Sequence, residues 1–453
     1  MTLPRYPTYK DSGVEWLGQV PEHWQPKKLG AISSLKGRLG WQGLKADEYR
    51  DEGPYVVSSA HFDNHRVQWA ECPRVSRERY DTDDNIQLAV DDLLLMKDGA
   101  AMGKLAFVES LPGLACLNSH LLLFRPVKID GVPTYSPRFA FYFMQTSYFQ
   151  EHIKVHGTGA TFLGVSQATI GRYQVILPSL PEQTAIASFL DHETAKIDAL
   201  VAEQERLVEL LKEKRQSLIS HAVTKGTNPK APMKDSRIDW LGAVPSSWEV
   251  VGLTKYLTSV VDYRGRTPTK VTEGIFLVTA RNIRDGSVNY SISEEYIDPR
   301  EYESTMRRGK PEVGDVLFTT EAPLGQVANV DRTDVALAQR VIKFRGQSGV
   351  LNNYFLKYWM MGSFSQADME RLATGSTALG IKGSKVVQLR LCLPPINEQA
   401  QIVEYIDAGL SRLDALTGEA QQAIDLLQER RTALISAAVT GQVDVREAAG
   451  RAA

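Results

Sequence analysis

From Glu182 to Thr224 no Pro or Gly interrupts the chain, and apolar residues return at heptad spacing. Leu190, Ile197, Leu211 and Leu218 form one line, with Leu200 and Leu207 on the adjoining seam and Gln204 and Lys214 as polar breaks. A later segment repeats the arrangement with Ile406, Leu413, Leu427 and Leu434, with Leu416 beside them and Ala420 and Ala423 as small fillers. The remaining faces carry Glu, Gln, Lys and Arg. The pattern predicts two long helices, because 3.6-residue periodicity places these positions on one face. Two separate amphipathic helices, each packed on its own domain, would read the same way. Matched length and register favour pairing with each other as a coiled coil. Pro181, and Pro394–Pro395 ahead of the second helix, suit helix starts, and "KGTNPKAP" (Lys225 to Pro232) ends the first.

Elsewhere the pattern shortens. "YVVSSA", "LLLFRP", "RYQVILP", "IFLVTA", "DVLFTT", "VIKFRG" and "LRLCLP" read as strands. "SPRFAFYFMQTSYFQEHI" and "NNYFLKYWMMGSFSQADMERL" read as helices whose aromatics belong to a core. Two blocks, roughly 22–178 and 247–394, are each expected to be a compact α/β domain.

The chain is written twice. "DSGVEWLGQVPEHW" (Asp11 to Trp24) returns as "DSRIDWLGAVPSSW" (Asp235 to Trp248). "TGATFLGV" (Thr158 to Val165) returns as "TGSTALGI" (Thr374 to Ile381), and the starts and ends of the long helices match as well. The second block is about eight residues shorter than the first. The repeating unit is therefore a box, a variable block, a Pro-marked boundary and a long helix.

Composition narrows the function classes. The 453 residues are 43% hydrophobic and 23% charged, as in a soluble globular protein, and suffice for two or three domains. A formal net charge of −2 gives no overall pull toward nucleic acid or membrane, leaving only local patches to consider. Cys72, Cys116 and Cys392 form no CxxC pair, which argues against zinc and disulfides and fits a reducing cytosol. "MTLPRYPTYK" lacks the apolar core of a signal peptide, and no apolar run reaches the length of a membrane span, so a cytoplasmic location is expected.

No catalytic constellation emerges. "DGAAMGKLA" (Asp98 to Ala106) hints at a phosphate loop, but its glycine spacing is one residue short and no Ser or Thr follows Lys104. Its counterpart "EAPLGQVA" has Gln326 in place of the lysine, so a turn between strands is the better reading. His61 and His65 lack an HExxH context and read as surface residues. GxSxG and dinucleotide fingerprints are absent. Two loops differ from ordinary filler: "LKGRLGWQGLKADEY" (Leu35 to Tyr49) and "VDYRGRTPTKVTEG" (Val261 to Gly274). Arg can grip phosphate or guanine, Gln can grip adenine, and Gly lets backbone approach closely. A charged surface loop would look similar.

The twinned "WLG-x-VP-x-x-W" boxes, "GRLGWQGLKADEY", the twinned "TG-x-T-x-LG" segments and the "LISHAVTKG" and "LISAAVTGQVDVRE" endings together resemble the specificity subunit of a type I restriction-modification system. The resemblance covers nearly the whole chain. It implies a mixed α+β fold: two α/β target recognition domains joined by two long helices forming an antiparallel coiled coil, with a pseudo-twofold internal repeat. The expected domains are 1–178 (box and first reader), 179–228 (first helix), 229–394 (box and second reader) and 395–453 (second helix and tail).

The resemblance further implies that each reader contacts one half of a split double-stranded DNA site, that the helices dock two methyltransferase subunits, and that restriction subunits join the full complex. No cofactor is expected in this chain; S-adenosylmethionine, ATP and Mg would belong to the partners. Lys36, Arg38, Gln42 and Lys45 in the first reader, and Arg264, Arg266, Thr267 and Lys270 in the second, are expected near DNA. His120 at "NSH" and Arg340 at "AQR" hold equivalent positions and join them. Two other classes stand beside this one. A fused nuclease or methyltransferase would need an NPPY-type or PD…ExK-type core, which is missing. A protein-only scaffold would fit the near-neutral charge.

Overall fold

The computed structural model describes residues 3–14, 16–37, 46–159, 163–264, 267–375 and 379–449. They fall into two compact units, one of Met1–Glu203 with Ala423–Ala453 and one of Gln204–Gln422. The boundary runs through both long helices, Leu180–Lys225 and Ile396–Val439, of 46 and 44 residues, so each unit holds part of each helix.

Within each unit the two helices run antiparallel. Arg431 donates to Asp198 at 2.8 Å in the first unit, and Arg215 pairs with Asp414 in the second. The step from Asp198 forward to Arg215 equals the step from Arg431 back to Asp414, so both ion pairs obey one register. The expected lines through Leu190, Ile197, Leu211 and Leu218, and through Ile406, Leu413, Leu427 and Leu434, are buried or half-buried.

The adjoining seam needs correction. Leu200, Leu207 and Leu416 are 46%, 40% and 47% exposed. The seam lies four residues beyond the main line instead of three: Thr194, Val201, Val208 and Arg215 on one helix, and Leu410, Thr417, Ile424 and Arg431 on the other. Both offsets suit a heptad. On the +4 line Leu410 and Ile424 are buried, and Arg215 and Arg431 reach carboxylates on the facing helix.

The boxes show why the phrase recurs. Each is a short hairpin, Tyr9–Asp11 with Gln19–Pro21 and Met233–Asp235 with Ala243–Pro245. Each ends on a fully buried tryptophan, Trp24 or Trp248. Trp24 donates its indole N–H to Glu182 at the start of the first long helix (3.2 Å) and packs on Gly441, just past the end of the second. Trp248 packs on Gly226, just past the end of the first helix, where Glu398 from the start of the second also stands. Both glycines have φ of 74°, the left-handed value that ends a helix. A box therefore seals the end of one long helix against the start of the other. In the first unit the chain ends meet there: the Tyr9 hydroxyl donates to the Gly441 carbonyl (3.0 Å), and the Asp444 N–H to Pro4 (2.8 Å).

Each reader is built on β-strands with a core on both faces. The first has a six-stranded sheet in the order Ser33–Lys36, Leu121–Pro126, Leu93–Met96, Leu105–Phe107, Arg66–Val67, Phe62–Asp63. The second has a four-stranded sheet: Leu257–Asp262, Val341–Gly346, Val316–Thr319, Val327–Asn329. Side chains alternate along a strand. Leu93 and Leu95 join the aromatic core with Trp24 and Phe139, while Leu94 joins the core around Val57 and Leu117. Val316 and Phe318 face Trp248 and Trp359, while Leu317 faces Val278 and Leu337. Burial on both sides is why these strands read as unbroken apolar runs.

Each aromatic segment is helical, as expected, and forms two helices: Pro137–Met144 with Ser147–Val155, and Asn353–Met361 with Ser363–Leu372. Thr146 and Gly362 take extended backbone (ψ 149° and 146°) and start the second helix of each pair. The aromatics are core: Phe139, Phe149, Phe355 and Trp359 are essentially fully buried.

Candidate nucleic-acid interface

The two readers share a frame. Gln183 accepts from the Ser136 N–H and donates to Pro178, as Gln399 accepts from Asn352 and donates to Pro394 (2.8–2.9 Å). Tyr142 donates to Asp191 as Tyr358 does to Asp407. Gln150 caps the Gly103 and Met144 carbonyls as Gln366 caps Gly325 and Met360. These contacts orient each reader on its helix. They explain the repeated Pro-Glu-Gln and Asn-Glu-Gln helix starts.

The same frame brings three separated motifs together at one end of each sheet. In the first reader the Lys97 N–H donates to the His120 carbonyl (3.1 Å), the Val165 N–H donates to Lys97 (2.8 Å), and Asp98 bridges Gly164. In the second, Thr320 donates to Arg340 (3.0 Å), Ile381 donates to Thr320 (2.9 Å), and Glu321 bridges Gly380. A Cβ at Gly164 would stand 3.0 Å from the Asp98 Cβ, and one at Gly380 3.2 Å from that of Glu321. The repeated "LG" thus lets the hairpin lie flush against an acid.

At that point each reader exposes an acid–base pair. His120 Nδ1 lies 2.5 Å from Asp98, and Arg340 Nε lies 2.9 Å from Glu321. The backbone pairing of these residues is equivalent; the side-chain chemistry differs.

The other expected contact residues divide. Arg38, Gln42, Lys45 and Arg266 lie outside the described residues. Lys36 ends the edge strand, opposite Leu123, and the Lys97 ammonium stands 3.9 Å from where a side chain at Gly37 would begin. Arg264 is clasped by Asp262 (Nε to both oxygens, 3.0 and 2.9 Å). Burial alone would raise the Asp262 carboxyl, but hydrogen bonds from Arg264 hold it below its ordinary value. Lys270 pairs with Glu295 at 2.7 Å, and Thr267 donates to Gln339 at 3.3 Å. Thr267, Lys270, Gln339 and Arg340 line one cavity of about 180 Å³ with Arg281, an exposed cation with no ion pair among the described residues.

Arg281, Asp98 and Glu321 were missed from sequence. Aligning the halves offers a signal for the acids, since "DGAAMG" and "EAPLG" both open on one.

The stretch with phosphate-loop character is a turn between the Leu93–Met96 and Leu105–Phe107 strands, and Lys104 donates to the Phe62 carbonyl (2.7 Å). His61 and His65 are half-buried, not surface residues, and their ring nitrogens contact the Ser58 N–H and the Leu105 carbonyl. Among the described residues no group of three or more His, Cys, Asp or Glu is placed to hold a metal ion, and no helix is long and apolar enough to cross a membrane.

The family model of the type I restriction modification DNA specificity domain matches residues 21–209 and 300–426, which is more than half of the chain. The chain belongs to this specificity-subunit family. The EcoKI specificity subunit of Escherichia coli K12 is 22% identical over 440 residues, spanning 94% of this chain and 90% of its own. The MjaVIII specificity subunit of Methanocaldococcus jannaschii is 22% identical over 444 residues, spanning 94% and 95%. The HsdS subunit of Thermoanaerobacter tengcongensis superposes with a TM-score of 0.51 at 15% identity, covering 94% of this chain and 98% of that one. A chain solved in work on complex assembly and conformational transition of the type I R-M system superposes with a TM-score of 0.68 at 14% identity, covering 93% and 98%. At these identities the two structures establish the shared fold. The specificity-subunit architecture accounts for the doubled frame around two readers.

Proposed function

We propose that this specificity subunit reads a bipartite, asymmetric double-stranded DNA site, one half per reader, and is itself non-catalytic. The observation that carries the reading is a repeated frame presenting unlike polar groups at equivalent positions: Asp98 with His120, and Glu321 with Arg340. Identical framing with different recognition chemistry suits two half-sites of different sequence. The long helices set the distance between the half-sites and dock two methyltransferase subunits. Restriction subunits complete the complex in the cytoplasm, and S-adenosylmethionine, ATP and Mg serve those partners.

The test is an exchange. Replacing Glu22 to Pro178 with the equivalent block of a relative, and mapping modified positions after co-expression with the methyltransferase, should change one half of the target and preserve the other. If both halves change together, the two-reader reading fails. The purified chain alone should neither cut nor methylate DNA; methylation by it with S-adenosylmethionine, free of other subunits, would overturn the non-catalytic assignment.

A protein-only scaffold is the second reading. It is favoured by the net charge of −2 and by the carboxylates that already occupy Arg264, Lys270 and Arg340. It requires negligible DNA affinity even with methyltransferase bound.

A further inference from the structure

We propose that Glu321 and Arg340 act as one unit that selects a single G·C base pair in the half-site of the second reader. The inference rests on the DNA-reading function above and adds to it the residues and the base pair.

The pair is built, not incidental. Arg340 is fixed through its carbonyl, which accepts from Thr320, and Glu321 through its bridge to Gly380. The Glu321 Cβ and one carboxylate oxygen lie against Gly380, and the other oxygen meets the guanidinium at 2.9 Å. Both side chains are about half-exposed, and Arg340 borders the cavity that Gln339 and Arg281 also line.

Such a pair is a poor phosphate clamp. Its carboxylate would face a negative backbone, and the arginine is already neutralised. It suits a base edge. In the major groove cytosine offers an N4 donor, and guanine beside it offers O6 and N7 as acceptors. A carboxylate takes the first, and a guanidinium takes the other two. An A·T pair has no two adjacent acceptors for the guanidinium and adds a methyl group. In the first reader Asp98 and His120 occupy the corresponding place with a shorter acid and an imidazole. The donor pattern there differs, as two unlike half-sites require.

The test uses the full chain co-expressed with its methyltransferase. The modified positions are mapped first. The purified complex is then titrated with duplexes in which each base pair of both half-sites is substituted in turn. Arg340→Ala should lose roughly 5- to 150-fold of discrimination at one G·C position of the second half-site. Discrimination elsewhere, and throughout the first half, should stay as it was. Glu321→Gln should relax the same position. The double change Glu321→Asp with Arg340→His, which installs the first reader's pair, should alter that position alone. A uniform loss on all duplexes would mean a phosphate contact and would sink the proposal. So would unchanged discrimination, or an A·T pair at the affected position. In any of those cases the Glu22–Pro178 exchange still decides the two-reader function separately.

Discussion

Asp315→Ala is expected to destabilise the Gln204–Gln422 unit by about 3–5 kcal/mol, because it strands a buried lysine. Lys343 and Asp315 are each 1% exposed, and the ammonium meets the carboxylate at 3.0 Å. Arg345 adds two hydrogen bonds of 2.6 and 2.7 Å. The sister sheet shows the alternative. Leu123 stands opposite Leu94 as Lys343 stands opposite Leu317, and there Asp92 has the single guanidinium of Arg125. Burial pushes the Asp92 carboxyl up. Burial acts upward on Asp315 too, but hydrogen bonds from Arg345, the Glu312 backbone and Lys343 bring it below its ordinary value. The stability this depressed carboxyl contributes is present above the ordinary carboxyl pKa of about 3.9 and is lost as pH falls through the lower folded value. Asp315→Ala with Lys343→Leu should regain more than half of the loss, since leucine is accepted at the equivalent place. Urea unfolding read through the transition of that unit measures both. A double variant no more stable than Asp315→Ala would show that the stranded lysine is not the cause.

Removing one heptad from each long helix, Gln204 to Leu210 together with Ala420 to Leu426, should leave both half-sites unchanged while the unread gap shrinks. Both ion pairs, Asp198–Arg431 and Arg215–Asp414, lie outside the deleted segments, and equal lengths leave each helix, so the antiparallel register survives. At 1.5 Å per residue the full helices extend roughly 65–70 Å, enough to exceed one DNA turn of about 34–36 Å. The deletion removes roughly 10 Å, or about 3 base pairs of axial rise. Mapping modified sites with the methyltransferase present reads the gap directly. A shortened protein that assembles normally and modifies sites with the original gap would mean that the helices do not set it.

Much of the fold was legible because it was written twice. The boxes, helix starts and helix ends are contact surfaces for one another, and Trp24, Glu182 and Gly441 have counterparts in Trp248, Glu398 and Gly226. The main heptad lines were legible because leucine and isoleucine mark them. The second seam was not, since Thr194, Arg215 and Arg431 carry no apolar signal while exposed Leu200 and Leu207 do. The acid–base pairs were half legible. His120 and Arg340 align between halves, but Asp98 lies 22 residues from His120, and only strand pairing closes that interval. Arg264 and Lys270 show the reverse case. Their residue types suggested free cations, and folding gave both a carboxylate partner.

The division of the chain also orders its synthesis. The first unit needs Met1–Glu203 and Ala423–Ala453, whereas the second is continuous from Gln204 to Gln422. A ribosome making roughly 5–20 residues per second takes on the order of 10–40 s to lay down the intervening stretch. Throughout that time the core around Trp24 lacks Ile435, Ala438 and Val439, which it later encloses. The half that emerges first is therefore completed last, and the half that emerges second can close while the first still waits for the end of the chain.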